Sequence, residues 1–330
     1  MSEWRGVPVL VTGGTGFVGG ALVRRLLAEG AQVTVLARNP RKAGALAALG
    51  ASIVTGDLTS PAAVREAAHG ASVVFHVAAL LGGPYTAQRT VNVGGTRLLL
   101  EASLEAGVRR FVHVSSIAVY GNVLPVRVCE DAPLAPGASP YAATKAEGDS
   151  LVREWSAERT LSASVVRPGM IFGPGSNMWT ANVFRLARLR PTPFLGDGAM
   201  PAPVIFINDL IDLLLLAGEH PAAAGEAFNA VADPAPSWRD YIGAYSALAG
   251  HGDWLPVPPL AGQIAAGLVM AVSPRDTVLR DLPDMIEQAI GPSSFSAEKA
   301  RRLLGWQART SPADGAQRSA AWLRETGLLR

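Results

Sequence analysis

Apolar positions in the first half of the chain alternate between two periods. Short runs rich in β-branched residues, at Val7–Val11, Gln32–Leu36, Ser52–Thr55, Ser72–Val77, Arg110–Val114 and Leu161–Arg167, read as strands. The segments between them, Phe17–Glu29, Arg41–Leu49, Pro61–His69, Gln88–Ala106 and Pro140–Arg159, read as amphipathic helices. Strands that take turns with helices are joined in parallel by right-handed crossovers, so the pattern predicts an α/β fold with a doubly wound parallel sheet.

After Arg167 the rhythm breaks. Pro168, Gly169, Gly173, Pro174 and Gly175 open an irregular region, and proline-rich islands recur at 191–193, 201–203 and 256–259. One more strand and helix, Val204–Ile207 and Asp209–Ala217, return the chain to the sheet. The expected division is a Rossmann-like sheet domain over 1–168, rejoined by 203–218, and a smaller irregular lobe over 169–330.

Composition narrows the class. A chain of 330 residues, 49% hydrophobic and 17% charged, holds a sizeable core and is too long for a single one. Its 29 basic and 27 acidic residues are scattered, with a net charge of +2 and no basic block, so nucleic acid is not an expected partner. No metal is expected either. The single cysteine, Cys129, forms no intramolecular disulfide, and the start of the chain runs into the first strand without a secretory leader, so the expected location is the cytoplasm. Trp254–Pro274 carries no formal charge. Its helical part, Leu260–Val272, reaches only roughly 20 Å against a hydrocarbon core of roughly 30 Å, so it reads as a buried helix beside an apolar pocket rather than a membrane span.

The chemistry starts where the first strand ends. Gly13, Gly16 and Gly19 stand in the spacing G-x-x-G-x-x-G at a strand-to-helix junction. The first permits a tight turn, the second lets backbone N–H groups approach a pyrophosphate, and the third lets the helix pack on the strand. With Thr15, Phe17 and Val18 they form the candidate cofactor cradle, the anion resting on the positive helix end. At the end of the second strand, where an acidic residue accepts the ribose hydroxyls of NAD, the chain has Ala37-Arg38. A guanidinium there suits a 2′-phosphate and favours NADP over NAD, although a solvated arginine reads the same way. Asp57, with Leu58 beside it, is placed to accept from the adenine amino group or to cap the helix beginning at Pro61.

Tyr141 and Lys145 lie one helical turn apart and project from one face. A free phenol has a pKa of about 10, and a neighbouring ammonium stabilises its phenolate, so this pair can exchange a proton near neutrality while the lysine also binds the nicotinamide ribose. Ser116, at the carboxyl end of the fifth strand, faces the crevice and can hydrogen-bond the reacting oxygen; Ser115 is the runner-up.

Together with Phe75-His76-Val77-Ala78-Ala79, Asn92-Val93-Gly94-Gly95-Thr96, Arg167-Pro168-Gly169-Met170-Ile171-Phe172-Gly173-Pro174 and Lys299-Ala300-Arg301-Arg302-Leu303-Leu304-Gly305-Trp306, these motifs resemble the extended short-chain dehydrogenases/reductases over nearly the full length. That group includes nucleotide-sugar epimerases and dehydratases, dihydroflavonol reductases and 3β-hydroxysteroid dehydrogenases. The resemblance implies a Rossmann fold, a Ser116–Tyr141–Lys145 triad, Ala78, Ala79 and Leu80 along the cofactor, and Pro168 and Ile171 near the nicotinamide. Asn92 either hydrogen-bonds backbone in the core or serves a proton relay. The long helices at 88–106 and 140–159 resemble those that pair in family dimers, which implies a homodimer.

Nucleotide-sugar members commonly carry asparagine in R-Y-F-N-x-Y-G-P, and that slot here is Met170. The Arg167-Pro168 start resembles the reductase and hydroxysteroid branch. Leu80, Leu81, Met170, Phe172 and Trp179 make an apolar candidate wall for a small-molecule substrate. The expectation is hydride transfer between nicotinamide and the carbonyl or hydroxyl carbon of a small or medium apolar compound. Against it stand Arg185, Arg188 and Arg190, which either clamp a diphosphate, as in an epimerase or dehydratase with retained NAD, or form a solvated helix face. A third reading, a dinucleotide sensor without turnover, has no use for the acid–base pair.

Overall fold

The computed structural model describes residues 3–121, 124–158, 161–258, 260–261 and 291–330. Its centre is a seven-stranded parallel sheet made of β1 (Pro8–Thr12), β2 (Gln32–Ala37), β3 (Ser52–Thr55), β4 (Val73–His76), β5 (Arg110–Val114), β7 (Ala163–Pro168) and β11 (Ala227–Ala230). Their order across the sheet is β11-β7-β5-β4-β1-β2-β3. The chain therefore leaves β1 in one direction and resumes at β4 on the other side, and the crevice between them is where such sheets bind ligands.

Both faces are covered. On one lie α1 (Phe17–Ala28), α2 (Pro40–Ala48) and α8 (Ile207–Glu219); on the other lie α3 (Pro61–Ala68), α5 (Gly95–Glu105) and α6 (Pro140–Glu158). Successive residues of β1 accordingly enter opposite layers, Val9 and Val11 one core and Leu10 the other. This double burial explains the unbroken apolar runs of the central strands. The expected long helix is built of α4 (Tyr85–Arg89) and α5 joined by a π-helical turn at Thr90–Gly94.

The second half departs from one expectation. β10 (Val204–Phe206) does not join the main sheet; it pairs in parallel with β8 (Met170–Phe172), and only the following helix α8 packs on the sheet. The edge is completed by β11, in register Asn229 with Arg167, a short strand whose pattern gave no separate signal. Two further small parallel pairs, β6 (Arg127–Val128) with β13 (Ser294–Phe295) and β9 (Thr192–Leu195) with β12 (Trp254–Val257), brace the irregular lobe. Among the described residues, the helices α7 (Val183–Ala187), α9 (Trp238–Leu248), α10 (Glu298–Leu304) and α11 (Pro312–Glu325) belong to it as well.

The uncharged stretch begins as β12, and Leu260 is exposed; the remainder of the expected apolar helix at 260–272 lies outside the described residues. Among the described residues no helix is long and apolar enough to cross a membrane. Cys129 is exposed, between β6 and α6.

Candidate functional site

Steric necessity explains the glycine turn. Gly13 has φ +73, and a Cβ on it would lie 2.7 Å from the Ala78 amide nitrogen at the end of β4. A Cβ on Gly19 would lie 2.2 Å from the Gly13 carbonyl oxygen, so α1 could not start so close to β1. Gly16 precedes the helix without a side-chain cap, and the first turn holds no acidic residue. The N–H groups of Phe17, Val18 and Gly19 thus open the helix without intrahelical acceptors, as an anion site requires.

In front of this turn a cavity of about 780 Å³ follows the carboxyl ends of the strands. Its cofactor-side lining includes Gly13, Thr15, Gly16, Phe17, Val18 and Gly19, then Arg38, Asp57 and Leu58, then Ala78, Ala79 and Leu80. The far side includes Leu81, Ser116, Tyr141, Lys145, Pro168, Met170, Ile171 and Trp179. Phe172 is a correction. It does not line the cavity but is buried at 1% exposure against Phe206, Tyr241 and Gly315. Three chain segments distant in sequence build that aromatic cluster, so strand alternation alone did not locate it.

Tyr141 and Lys145 both face the cavity from α6. The Lys145 Nζ donates to the Val114 carbonyl oxygen at 2.6 Å. Burial lowers its pKa to about 8, with Asp149 acting in the opposite sense. Ser116 caps the short 3-10 turn Ile117–Tyr120, its Oγ accepting from the Ala118 amide at 3.2 Å, which leaves its own proton to donate. Its neighbour Ser115 also lines the cavity, and its buried Oγ has no hydrogen-bond partner among the described residues.

A polar chain behind the wall holds the loop after β4. The Thr12 hydroxyl donates to His76 Nδ1 at 2.8 Å, His76 Nε2 donates to Thr96 Oγ1 at 2.8 Å, and Thr96 donates to the Asn92 carbonyl at 2.6 Å. Each hydroxyl has one proton, so this ordering assigns the His76 tautomer. Burial, then the Lys145 charge, push His76 down to about 3, and it is neutral. Asn92 takes the backbone role: its Oδ1 accepts from Leu80 N at 2.7 Å, and its Nδ2 donates to Leu80 O and Thr144 Oγ1, both at 3.0 Å.

At the opposite end Arg38 is largely exposed and stands 3.8 Å from the Asp57 carboxylate. Asp57 accepts from Thr59 N and Oγ1, which hold its pKa below the ordinary value. The cap of α3 is Ser60 and not Asp57, so the capping alternative for Asp57 falls away.

Residues 9–230 match the model of the NAD-dependent epimerase/dehydratase family. The chain belongs to that family. A UDP-glucose 4-epimerase from Mycolicibacterium smegmatis is 32% identical over 96% of this chain and 98% of its own. A 2-alkyl-3-oxoalkanoate reductase from Stenotrophomonas maltophilia is 30% identical over 95% of this chain and 98% of its own. Among solved structures, a short-chain dehydrogenase/reductase superfamily protein from Agrobacterium tumefaciens with bound NAD superimposes with a TM-score of 0.73 at 25% identity, covering 96% of this chain and 97% of that one. The chain is thus an enzyme of the extended short-chain dehydrogenase/reductase type, whose members carry out NAD-dependent oxidoreductase or epimerase chemistry. The cradle fits a dinucleotide: the positions where a Cβ would collide are glycines, and the helix start above them is uncapped.

Sequence reasoning missed part of the far wall. Ser176, Asn177 and Met178 line the cavity beside Trp179, as do Ile117 and Ala118 beside Ser116. Adjacency to the residues already singled out was the available signal.

Proposed function

We propose that the protein is an NADP-dependent reductase or dehydrogenase of a largely apolar carbonyl or hydroxyl compound. The observation that carries this reading is charge distribution: among the described residues lining the cavity only Arg38, Asp57 and Lys145 are charged, two of them at the cofactor end. A nucleotide-sugar diphosphate calls for cations, and Arg185, Arg188 and Arg190 do not line the cavity. Arg185 instead donates to Asn182 and Arg190 to the Ala249 carbonyl. Leu81 and Met178 add exposed apolar surface to the cavity wall. The reductase relative, whose name denotes an alkyl-substituted oxo acid, supports the same class.

When bound, the dinucleotide supplies or accepts a hydride. Pro168 and Ile171 would flank its reactive ring, and the glycine turn would hold its pyrophosphate. Tyr141 gives a proton to the carbonyl oxygen in reduction and takes it back in oxidation, Lys145 stabilises the phenolate left behind, and Ser116 donates a hydrogen bond to the same oxygen. Arg38, with no acidic residue at the end of β2, is suited to a 2′-phosphate.

The likeness to the UDP-glucose 4-epimerase favours a second reading, epimerisation with retained cofactor. The two separate on consumption. With a medium-chain β-keto ester, NADPH is expected to disappear in step with ketone; turnover of UDP-glucose with no net change in NAD(P)H would overturn the reductase reading. A homodimer through the helices at 88–106 and 140–159 belongs to this proposal, and light scattering tests it.

A further inference from the structure

Behind the triad lies a buried charge pair that the proposed chemistry does not use. Arg167, at the end of β7, is fully buried, as is Asp149 on α6. Arg167 Nε and Nη2 donate to the two Asp149 carboxylate oxygens, both at 2.8 Å. Its Nη1 donates to the Tyr120 hydroxyl at 2.7 Å and to the Glu130 carbonyl at 3.0 Å. Tyr120 in turn donates to Asn229 Oδ1 at 2.7 Å, on the neighbouring strand β11.

These bonds reach every element that carries the triad. Asp149 is one helical turn beyond Lys145, and two beyond Tyr141. Tyr120 ends the 3-10 turn that Ser116 begins. Pro168, on the cavity wall, is the residue after Arg167. We propose that the Arg167–Asp149 pair is a positioning device, one guanidinium clamping the helix of Tyr141 and Lys145 to the turn of Ser116 and to the strand end of Pro168.

The proposal rests on the reading of Ser116, Tyr141 and Lys145 as the proton-transfer set. A buried ion pair is weak as a source of stability, because well-packed apolar side chains of similar volume generally serve as well. A planar fork held by a carboxylate on one side and a hydroxyl on the other is strong as a source of geometry. Misplacement of a reacting group by about 1 Å costs on the order of 100-fold in rate, so a clamp of this kind acts on turnover more than on binding.

The groups facing Lys145 make the clamp readable without turnover. Among the described residues they include Asp149 on its own helix, and from the sheet the Val114 carbonyl, His76 and His113. Burial keeps both histidines neutral through the range in which Lys145 titrates, so Asp149 is the group that supports its charge. The chain has only three lysines, Lys42, Lys145 and Lys299, so ¹³C-lysine labelling yields three resolvable titrations.

The test uses the full chain with Arg167→Met combined with Asp149→Leu, which removes the clamp and both of its own charges together. Expected are a melting temperature within a few degrees of the parent, NADPH affinity within about 3-fold by fluorescence, a kcat on a medium-chain β-keto ester lowered on the order of 100-fold with KM little changed, and a Lys145 midpoint moved below the parent value of about 8. A parent-like kcat would overturn the proposal whatever the midpoint does, as would a loss of kcat that only follows the fraction unfolded. If the double variant does not fold, Tyr120→Phe, which removes one bond of the fork and keeps the ring, must lower kcat without lowering NADPH affinity; no change in kcat rejects the clamp. Should the parent not reduce the ester, the catalytic reading fails separately, and the Lys145 ¹³C shift in Tyr120→Phe, which keeps both charges of the pair, then decides the clamp: a shift away from the parent value supports it and a parent-like one rejects it.

Discussion

The two ends of the cavity are built by different means. At the glycine turn the working groups are backbone N–H donors, and the shape is set by the absence of side chains: a Cβ at Gly13 or Gly19 would run into backbone. At the far end the surface is made of side chains, Leu81, Met170, Met178 and Trp179, on β8, a π-helical turn and loops. A backbone-built end has few alternatives and is shared across a family, whereas a side-chain-built end can change one residue at a time. The family is described as NAD-dependent, while the names of two matched relatives differ, one an epimerase and one a reductase.

The sharpest way to break the comparison acts between the two ends. Tyr141→Phe is expected to lower turnover by about 10²–10⁴-fold while leaving NADPH affinity unchanged, measured by steady-state kinetics beside fluorescence titration. Unchanged turnover would remove the phenol from the chemistry. Gly19→Ala comes next: its methyl meets the Gly13 carbonyl at 2.2 Å, so the turn must open, and dinucleotide affinity is expected to fall by at least about 10-fold. Calorimetric titration checks this, and binding at the parental level would show that the cradle tolerates a side chain.

Arg38→Ser is expected to cost NADP binding about 10- to 100-fold, the equivalent of a charge-assisted hydrogen bond of roughly 1.5–3 kcal/mol, and to leave NAD nearly untouched. Equal losses for both cofactors would count against the 2′-phosphate assignment. Trp179→Ala, at the side-chain end, is expected to raise KM for apolar ketones by a few-fold with no effect on cofactor binding.

Acidity separates function from stability at one residue. Lys145 has a folded pKa of about 8 against an ordinary 10.5, because burial disfavours its charge. Between these values the unfolded chain binds the extra proton, so the stability contributed by this group rises with pH across that window and is missing below it. Activity runs the other way: above about 8 the ammonium is lost, phenolate support goes with it, and kcat is expected to fall. His76, at about 3 against 6.5, adds stability that is present above 6.5 and lost as pH falls through that window. Melting curves and pH–rate profiles on the same preparation test both signs.

Most of the candidate site was readable before any coordinates. The glycine spacing, the Tyr141–Lys145 pair one turn apart and the strand-end serine are local relations, and local geometry brings their groups to one side of the sheet. Phe172 failed because a strand's alternation says that a side chain is buried but not whether a ligand or an aromatic cluster buries it. Asp149 and Glu130 passed unnoticed because a lone acidic residue in a sequence looks the same whether it faces water or a guanidinium.

From sequence alone came the doubly wound sheet, its strand–helix alternation, the glycine turn and the spacing of Tyr141 from Lys145 on one helix, since periods of two and 3.6 and the steric demands of glycine act over a few residues. Tertiary structure alone decided that β11 rather than β10 closes the sheet, that Phe172 belongs to the core, and that Arg167 meets Asp149 and Tyr120. Those outcomes depend on contacts between residues 18 or more apart in the chain, where many pairings satisfy the same local pattern and only the packing of the whole chain selects one.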